Sequence, residues 1–141
     1  MNSFQHFSNL NWHFGNNNFS KFVEGSFTSN VIYLNGANKS TKHGFPLNWK
    51  RFDLGVVALY EIEGYIDLPT IKAGQEIDII NIPGAGALQF AIAQLADDFL
   101  SNNLYIHKSS KPGTLSIHNS STSDVAAHTS MYQILMTCPV A

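Results

Sequence analysis

Between Val56 and Pro83 the chain reads VVALYEIEGYIDLPTIKAGQEIDIINIP, and this run restricts the fold more than any other. Tyr60, Ile62, Ile66 and Leu68, with Gly64 among them, fall on one side of a period-two pattern, while Glu61, Glu63 and Asp67 fall on the other. A strand with one dry and one wet face has that period. A helix would need apolar residues three and four apart, and the acidic residues would break its buried stripe. Pro69 ends the strand and Ala73-Gly74 turns the chain. Gln75 to Ile82 then forms a second strand of alternating Ile and acidic residues that Pro83 stops. The expectation is two long antiparallel strands at the centre of an all-β domain.

The flanking segments extend that reading. Residues 1–18 mix Phe4, Phe7, Trp12 and Phe14 with Asn and Ser, and are expected to form an N-terminal arm or first strand. Residues 19–141 are expected to be a single β-sandwich domain. Phe19 to Phe27 and Val31 to Asn35 are short strand candidates, and Asn35-Gly36 is a strong turn signal. From there to Leu54 the chain reads as a long irregular loop. Leu88 to Leu95 is ambiguous: Leu88, Ile92, Leu95 and Phe99 fit a helical stripe, whereas Phe90 and Ile92 against Gln89 and Ala91 fit a strand. The all-β neighbourhood favours the strand. Leu104, Ile106, Leu115 and Ile117 flank the turn triplet Lys111-Pro112-Gly113. Pairing Leu104 with Ile117 and Ile106 with Leu115 puts the apolar residues on one face, and Tyr105, His107, Ser116 and His118 on the other. Met131 to Thr137 closes as a last strand. Many short strands with frequent turns point to an antiparallel β-sandwich or jelly roll.

Size and charge narrow the function. A 141-residue chain of 15.6 kDa builds one core without staples. Only 13% of residues are charged and the net charge is −2, so no electrostatic case for nucleic acid exists. Cys138 is alone, which excludes an intramolecular disulfide and a thiolate metal cluster. No basic-then-apolar leader opens the sequence and no apolar run is long enough for a membrane span, so synthesis in a cytoplasm without membrane insertion is expected.

The catalytic inventory is thin. The sequence has no G-x-S-x-G elbow, Walker loop, H-E-x-x-H or Cys-x-x-Cys. Neither a cofactor nor a metal is expected: His107 and His118 can approach across the hairpin, but no third ligand is evident from spacing. The acidic residues of the central run suit acid–base work in a glycosidase, yet strict alternation already explains them as a solvated face. The loop from Lys39 to Asp53 is more suggestive. It holds Lys39, Lys42, Lys50 and Arg51, half of all Lys and Arg, together with His43, Asn48 and Trp49. Saccharide recognition wants an aromatic face for the C–H surface of a ring and polar side chains for its hydroxyls. Trp49, Arg51 and Asp53 point the same way in an extended segment, with His43 and Asn48 near. The alternative is that Trp49 plugs the core and the charges solvate the loop. Tyr105, His107 and His118 form a second candidate ligand surface.

The order LYEIEGYIDL, IKAGQEIDIINIP, QFAIAQL, NNLYIHKSSKPGTLSIHN, YQILMT resembles the C-terminal head domain of receptor-binding proteins of tailed bacteriophages, especially those infecting Gram-positive bacteria. The elements that carry the resemblance are Tyr60-Ile62-Gly64-Ile66, Ala73-Gly74, Ile82-Pro83, and Leu104-Ile106 with Leu115-Ile117. It covers Val56 to Thr137 and transfers no binding residue. What it implies is a jelly-roll head, assembled as a homotrimer at the tip of the phage tail in the virion. Such a head binds a host cell-surface polysaccharide or a teichoic-acid-like polymer without enzymatic activity. The rival expectations are a structural virion jelly roll, as in capsid decoration or baseplate, and a glycan-active enzyme.

Overall fold

The computed structural model describes residues 22–23, 30–95 and 103–139. The aromatic segment 1–18 lies outside the described residues, as do parts of the first strand candidate. The strands are β1 (Phe22–Val23), β2 (Ile32–Tyr33), β3 (Asn38–Lys39), β4 (Asn48–Asp53), β5 (Val57–Leu68), β6 (Glu76–Asn81), β7 (Phe90–Leu95), β8 (Leu104–Lys108), β9 (Thr114–Asn119) and β10 (His128–Pro139). They form two antiparallel sheets packed face to face. The first has the order β1-β4-β5-β10-β7, and the second β2-β6-β9-β8. β3 and β4 lie end to end along one edge of β5, and β10 occupies the whole of the other edge.

Strict alternation makes β5 and β10 the backbone of the core. On β5 Ala58, Tyr60, Ile62, Ile66 and Leu68 are buried, and on β10 so are Tyr132, Ile134, Met136 and Cys138. Their register puts Ile134 opposite Ile62 and Met136 opposite Tyr60. The second sheet answers with Ile79, Ile80, Ile106, Leu115 and Ile117. Each fully buried branched side chain contributes about 1.5–3 kcal/mol relative to exposure. Gly64 is opposite Tyr132 on this inner face. Its φ of +131° and the collision that a Cβ would have with the Pro46 carbonyl oxygen explain why the alternation is interrupted there by glycine.

The connectivity is nested. β5 pairs with β10 in one sheet, β6 pairs with β9 in the other, and β7 touches β8 between them. This winding of a long ribbon across two sheets is the jelly-roll arrangement. Both central strands of the acidic run exist, but they do not pair with each other. A bulge between Asp78 and Ile80 also breaks the alternation of β6, so that Ile79 and Ile80 are both buried. The Asn35-Gly36 turn is present, with positive φ at both residues.

Three further expectations change. The long irregular loop contains ordered elements: β3, a 3-10 turn at Lys42–Gly44, and the six-residue β4 paired with β5. Residues 90–95 do form a strand, but Ala91 and Ala93 pack on the core while Phe90 and Ile92 are about half exposed (46% and 54%). Small residues face inward there because β7 is the edge of a sheet whose neighbour β10 already fills the interior with Tyr132, Ile134 and Met136. Finally, the β8–β9 hairpin is shifted by two residues from the expected register: Ile106 pairs with Ile117, and Leu104 with Asn119. An even shift preserves the faces, so the apolar residues still point inward.

Candidate functional site

The residues singled out from sequence separate into three groups. Trp49, Arg51 and Asp53 do share one side of β4, but that side turns into the sandwich. Trp49 is 8% exposed and its ring packs against Tyr60 at 5.4 Å between centroids. The Arg51 guanidinium lies 5.8 Å from the centre of the Tyr60 ring and 3.9 Å from the Asp53 carboxylate. Burial pushes the Tyr60 phenol up, and the nearby Arg51 charge pulls against it. As folded, Trp49 therefore offers no open aromatic face, which corrects the stacking role expected of it. Asn48 is also buried and its amide donates to the Glu63 and Pro46 carbonyls, a structural task.

His43 belongs to a second, exposed group. It sits in the 3-10 turn with φ +55° and approaches the Tyr65 ring at 5.3 Å, while the Lys42 ammonium lies 5.0 Å from the same ring. This is a small cationic knob on the outer side of β5.

The third group is the one the fold assembles. Tyr105, His107 and His118 stand on the outer face of the second sheet, and the neighbouring strand β6 adds Glu76 and Asp78. Pairing across β6, β9 and β8 produces two rows, Glu76–His118–Tyr105 and Asp78–Ser116–His107. The Tyr105 ring, 49% exposed, stacks on His118 with centroids 5.1 Å apart and planes 24° from parallel. Glu76 lies 3.3 Å from His107 Nε2 and 3.6 Å from His118 Nδ1. In the adjacent row the Ser116 hydroxyl donates to Asp78 at 2.6 Å, and the Lys111 ammonium is 2.9 Å from its other oxygen. Burial alone would raise the Asp78 carboxyl, but hydrogen bonds from Ser116, Lys111 and Ser109 and the charge of Lys111 outweigh it and hold the group below its ordinary value. The result is a flat polar platform with one aromatic face, fixed by three adjacent strands.

Sequence reasoning had placed Tyr105, His107 and His118 on one wet face, and so they are. Glu76 is not singled out by the sequence pattern, where it is one of the acidic residues of a solvated face. Its partners are some thirty to forty residues away in sequence, so only the β6–β9 pairing brings them together.

A different surface lies across the sandwich. On the outside of the first sheet, Glu61, Leu135 and Ile92 form one row and Glu63, Gln133 and Gln94 the next. They line a shallow groove of about 290 Å³. With Phe90 at the edge strand, this groove is flanked by exposed apolar residues, Leu135 being 44% exposed.

Comparison with protein-family models, with curated proteins and with solved structures finds no match.

Proposed function

We propose that this β-sandwich is a non-enzymatic carbohydrate-binding head that recognises a host cell-surface saccharide for bacteriophage adsorption, as a homotrimer at the tail tip. The observation that carries the reading is the platform of Tyr105, His107, His118 and Glu76. A half-exposed aromatic ring can take the C–H face of a sugar, and imidazole and carboxylate groups around it can exchange hydrogen bonds with the hydroxyls. The side chains stand on strands rather than on loops, which holds their geometry with little ordering cost on binding. Support for the phage context comes from the order of motifs between Val56 and Thr137 and from the nested jelly-roll winding. The exposed basic group around Lys42 and His43 favours a phosphate-bearing polymer over a neutral one.

The test is binding of the purified chain to a glycan array and to isolated Gram-positive cell-wall polymer. Tyr105→Ala is expected to abolish the signal and Tyr105→Phe to retain most of it. Undiminished binding by Tyr105→Ala overturns the site, and no binding to any saccharide surface overturns the function.

One observation favours a second reading, a structural virion protein. Phe90, Ile92 and Leu135 form an exposed apolar strip beside an edge strand, and such strips suit protein–protein contacts. Light scattering separates the parts: a trimer fits both readings, a monomer removes the assembly from the first, and incorporation into particles without saccharide affinity selects the second.

A further inference from the structure

Glu76 on β6, His118 on β9 and His107 on β8 each direct one donor atom into a common space, all within 4.8 Å of one another. We propose that these three side chains hold a divalent transition-metal ion, with zinc as the reference ion, leaving coordination positions open toward solvent beside Tyr105. The site does not depend on the saccharide reading and stands or falls by itself.

The hydrogen bonding of His107 is the first support. Its Nδ1 is 3.0 Å from the Lys108 carbonyl oxygen, which can only accept. Nδ1 therefore carries the proton, and in the neutral ring Nε2 keeps its lone pair. That lone pair faces a carboxylate oxygen of Glu76 at 3.3 Å. Two lone pairs at this distance repel unless a cation is shared between them, either a proton on Nε2 or a metal ion. A backbone carbonyl that fixes the tautomer and orients the other ring nitrogen is the usual partner of a metal-bound histidine.

The distances leave room for the larger cation. A charge-assisted N–H to carboxylate bond closes to about 2.7–2.9 Å, yet Glu76 stands 3.3 Å from His107 and 3.6 Å from His118. Metal–ligand bonds of about 2.0–2.1 Å in a tetrahedron set neighbouring donors roughly 3.4 Å apart. The two contacts use different oxygens of Glu76, Oε1 toward His107 and Oε2 toward His118, so the carboxylate faces both imidazoles at once, and one donor atom from each of the three side chains lies within 4.8 Å of the others. Bringing the three donors to the tetrahedral spacing takes only side-chain rotation, for which these part-exposed positions leave room: side-chain exposure is 34% at His107, 26% at His118 and 50% at Glu76.

The donor set is chemically matched. Two neutral imidazoles and one carboxylate on three adjacent strands satisfy zinc or cobalt with three protein ligands, and leave at least one position for water or an incoming oxygen. Stacking of Tyr105 on His118 restrains that ring from the open side.

The test is titration of the metal-free full chain, by calorimetry with Zn²⁺ and by visible absorption with Co²⁺. A single ion should bind, with intense cobalt bands of a four- or five-coordinate site. Glu76→Gln and His118→Ala should each lower zinc affinity roughly 100-fold or more, with circular dichroism unchanged. His43→Ala and His128→Ala should leave it as it was. The proposal is overturned if the wild-type chain binds no zinc, if Glu76→Gln and His118→Ala bind as the wild type does, or if cobalt gives only the weak spectrum of the hexaaqua ion.

Discussion

Two short series on different strands carry almost the same chemistry and end in opposite places. On β4, Trp49 and Arg51 are an aromatic and a cation two residues apart; on β8, Tyr105 and His107 are an aromatic and an imidazole two residues apart. The first pair turns into the sandwich, against Tyr60, and the second stands on the outside of the opposite sheet. Period two tells which residues share a face but not which face is dry. On β8 the flanking Leu104 and Ile106 decide the matter, because they claim the interior. On β4 the intervening residues are Lys50 and Phe52, of mixed character, so the interior falls to the larger aromatic, and the Arg51 cation follows it as far as the Tyr60 ring.

The sharpest way to break this contrast is to truncate both aromatics. Trp49→Ala leaves a large cavity beside Tyr60 and is expected to lose about 3–5 kcal/mol in chemical denaturation; a loss under about 1 kcal/mol would mean that the indole is not a core residue.

A smaller effect is expected from the phenol of Tyr33, whose hydroxyl is buried without a hydrogen-bond partner among the described residues. Burial, with the Asp67 charge adding to it, pushes its pKa up to about 12. The folded state thus holds the proton more tightly than the unfolded chain, where tyrosine ionises near pH 10. The corresponding stability is fully present below about pH 10 and is lost as pH rises toward about 12. Tyr33→Phe should flatten the decline measured by denaturation across that window while changing little at neutral pH; an unchanged slope contradicts the buried phenol.

The smallest change in stability belongs to Tyr105→Ala, within about 0.5 kcal/mol as for other surface truncations. A loss comparable with that of Trp49→Ala would abolish the distinction between the inner and outer aromatics.

Much of the sandwich was legible because β5 alternates from Ala58 to Leu68, with Gly64 as its one inner residue lacking a side chain, and because the β8–β9 hairpin has an apolar side and a polar side. Even the two-residue error in that hairpin cost nothing at the platform, since an even slip returns every side chain to its own face. The acidic faces of β5 and β6 were correctly separated from their apolar faces, but alternation within a strand carries no information about which strand lies alongside. That is why β5 and β6 looked like one unit, and why Glu76 was not connected with His107 and His118. β4 was hidden for a different reason. Its charges and the Gly-Phe-Pro stretch before it are loop composition, and it becomes a strand only because β5 offers an edge to pair with. On β7 the size of Phe90 and Ile92 was misleading: they are the large residues of that strand and yet they face outward, over two alanines that fit the space the core leaves.

The nested winding also dictates an order of events when the chain folds. Val57 pairs with Pro139 and Leu68 with His128, so β5 has no complete partner until the chain has been made through Pro139. Contacts this distant in sequence make folding slow, since much loop-closure entropy is lost before the core rewards it. During synthesis β5 must wait beside the ribosome with its isoleucine face uncovered, and the glutamates and aspartate on its other face, which ask little of the finished sandwich, are well placed to keep that waiting strand from pairing with its copies.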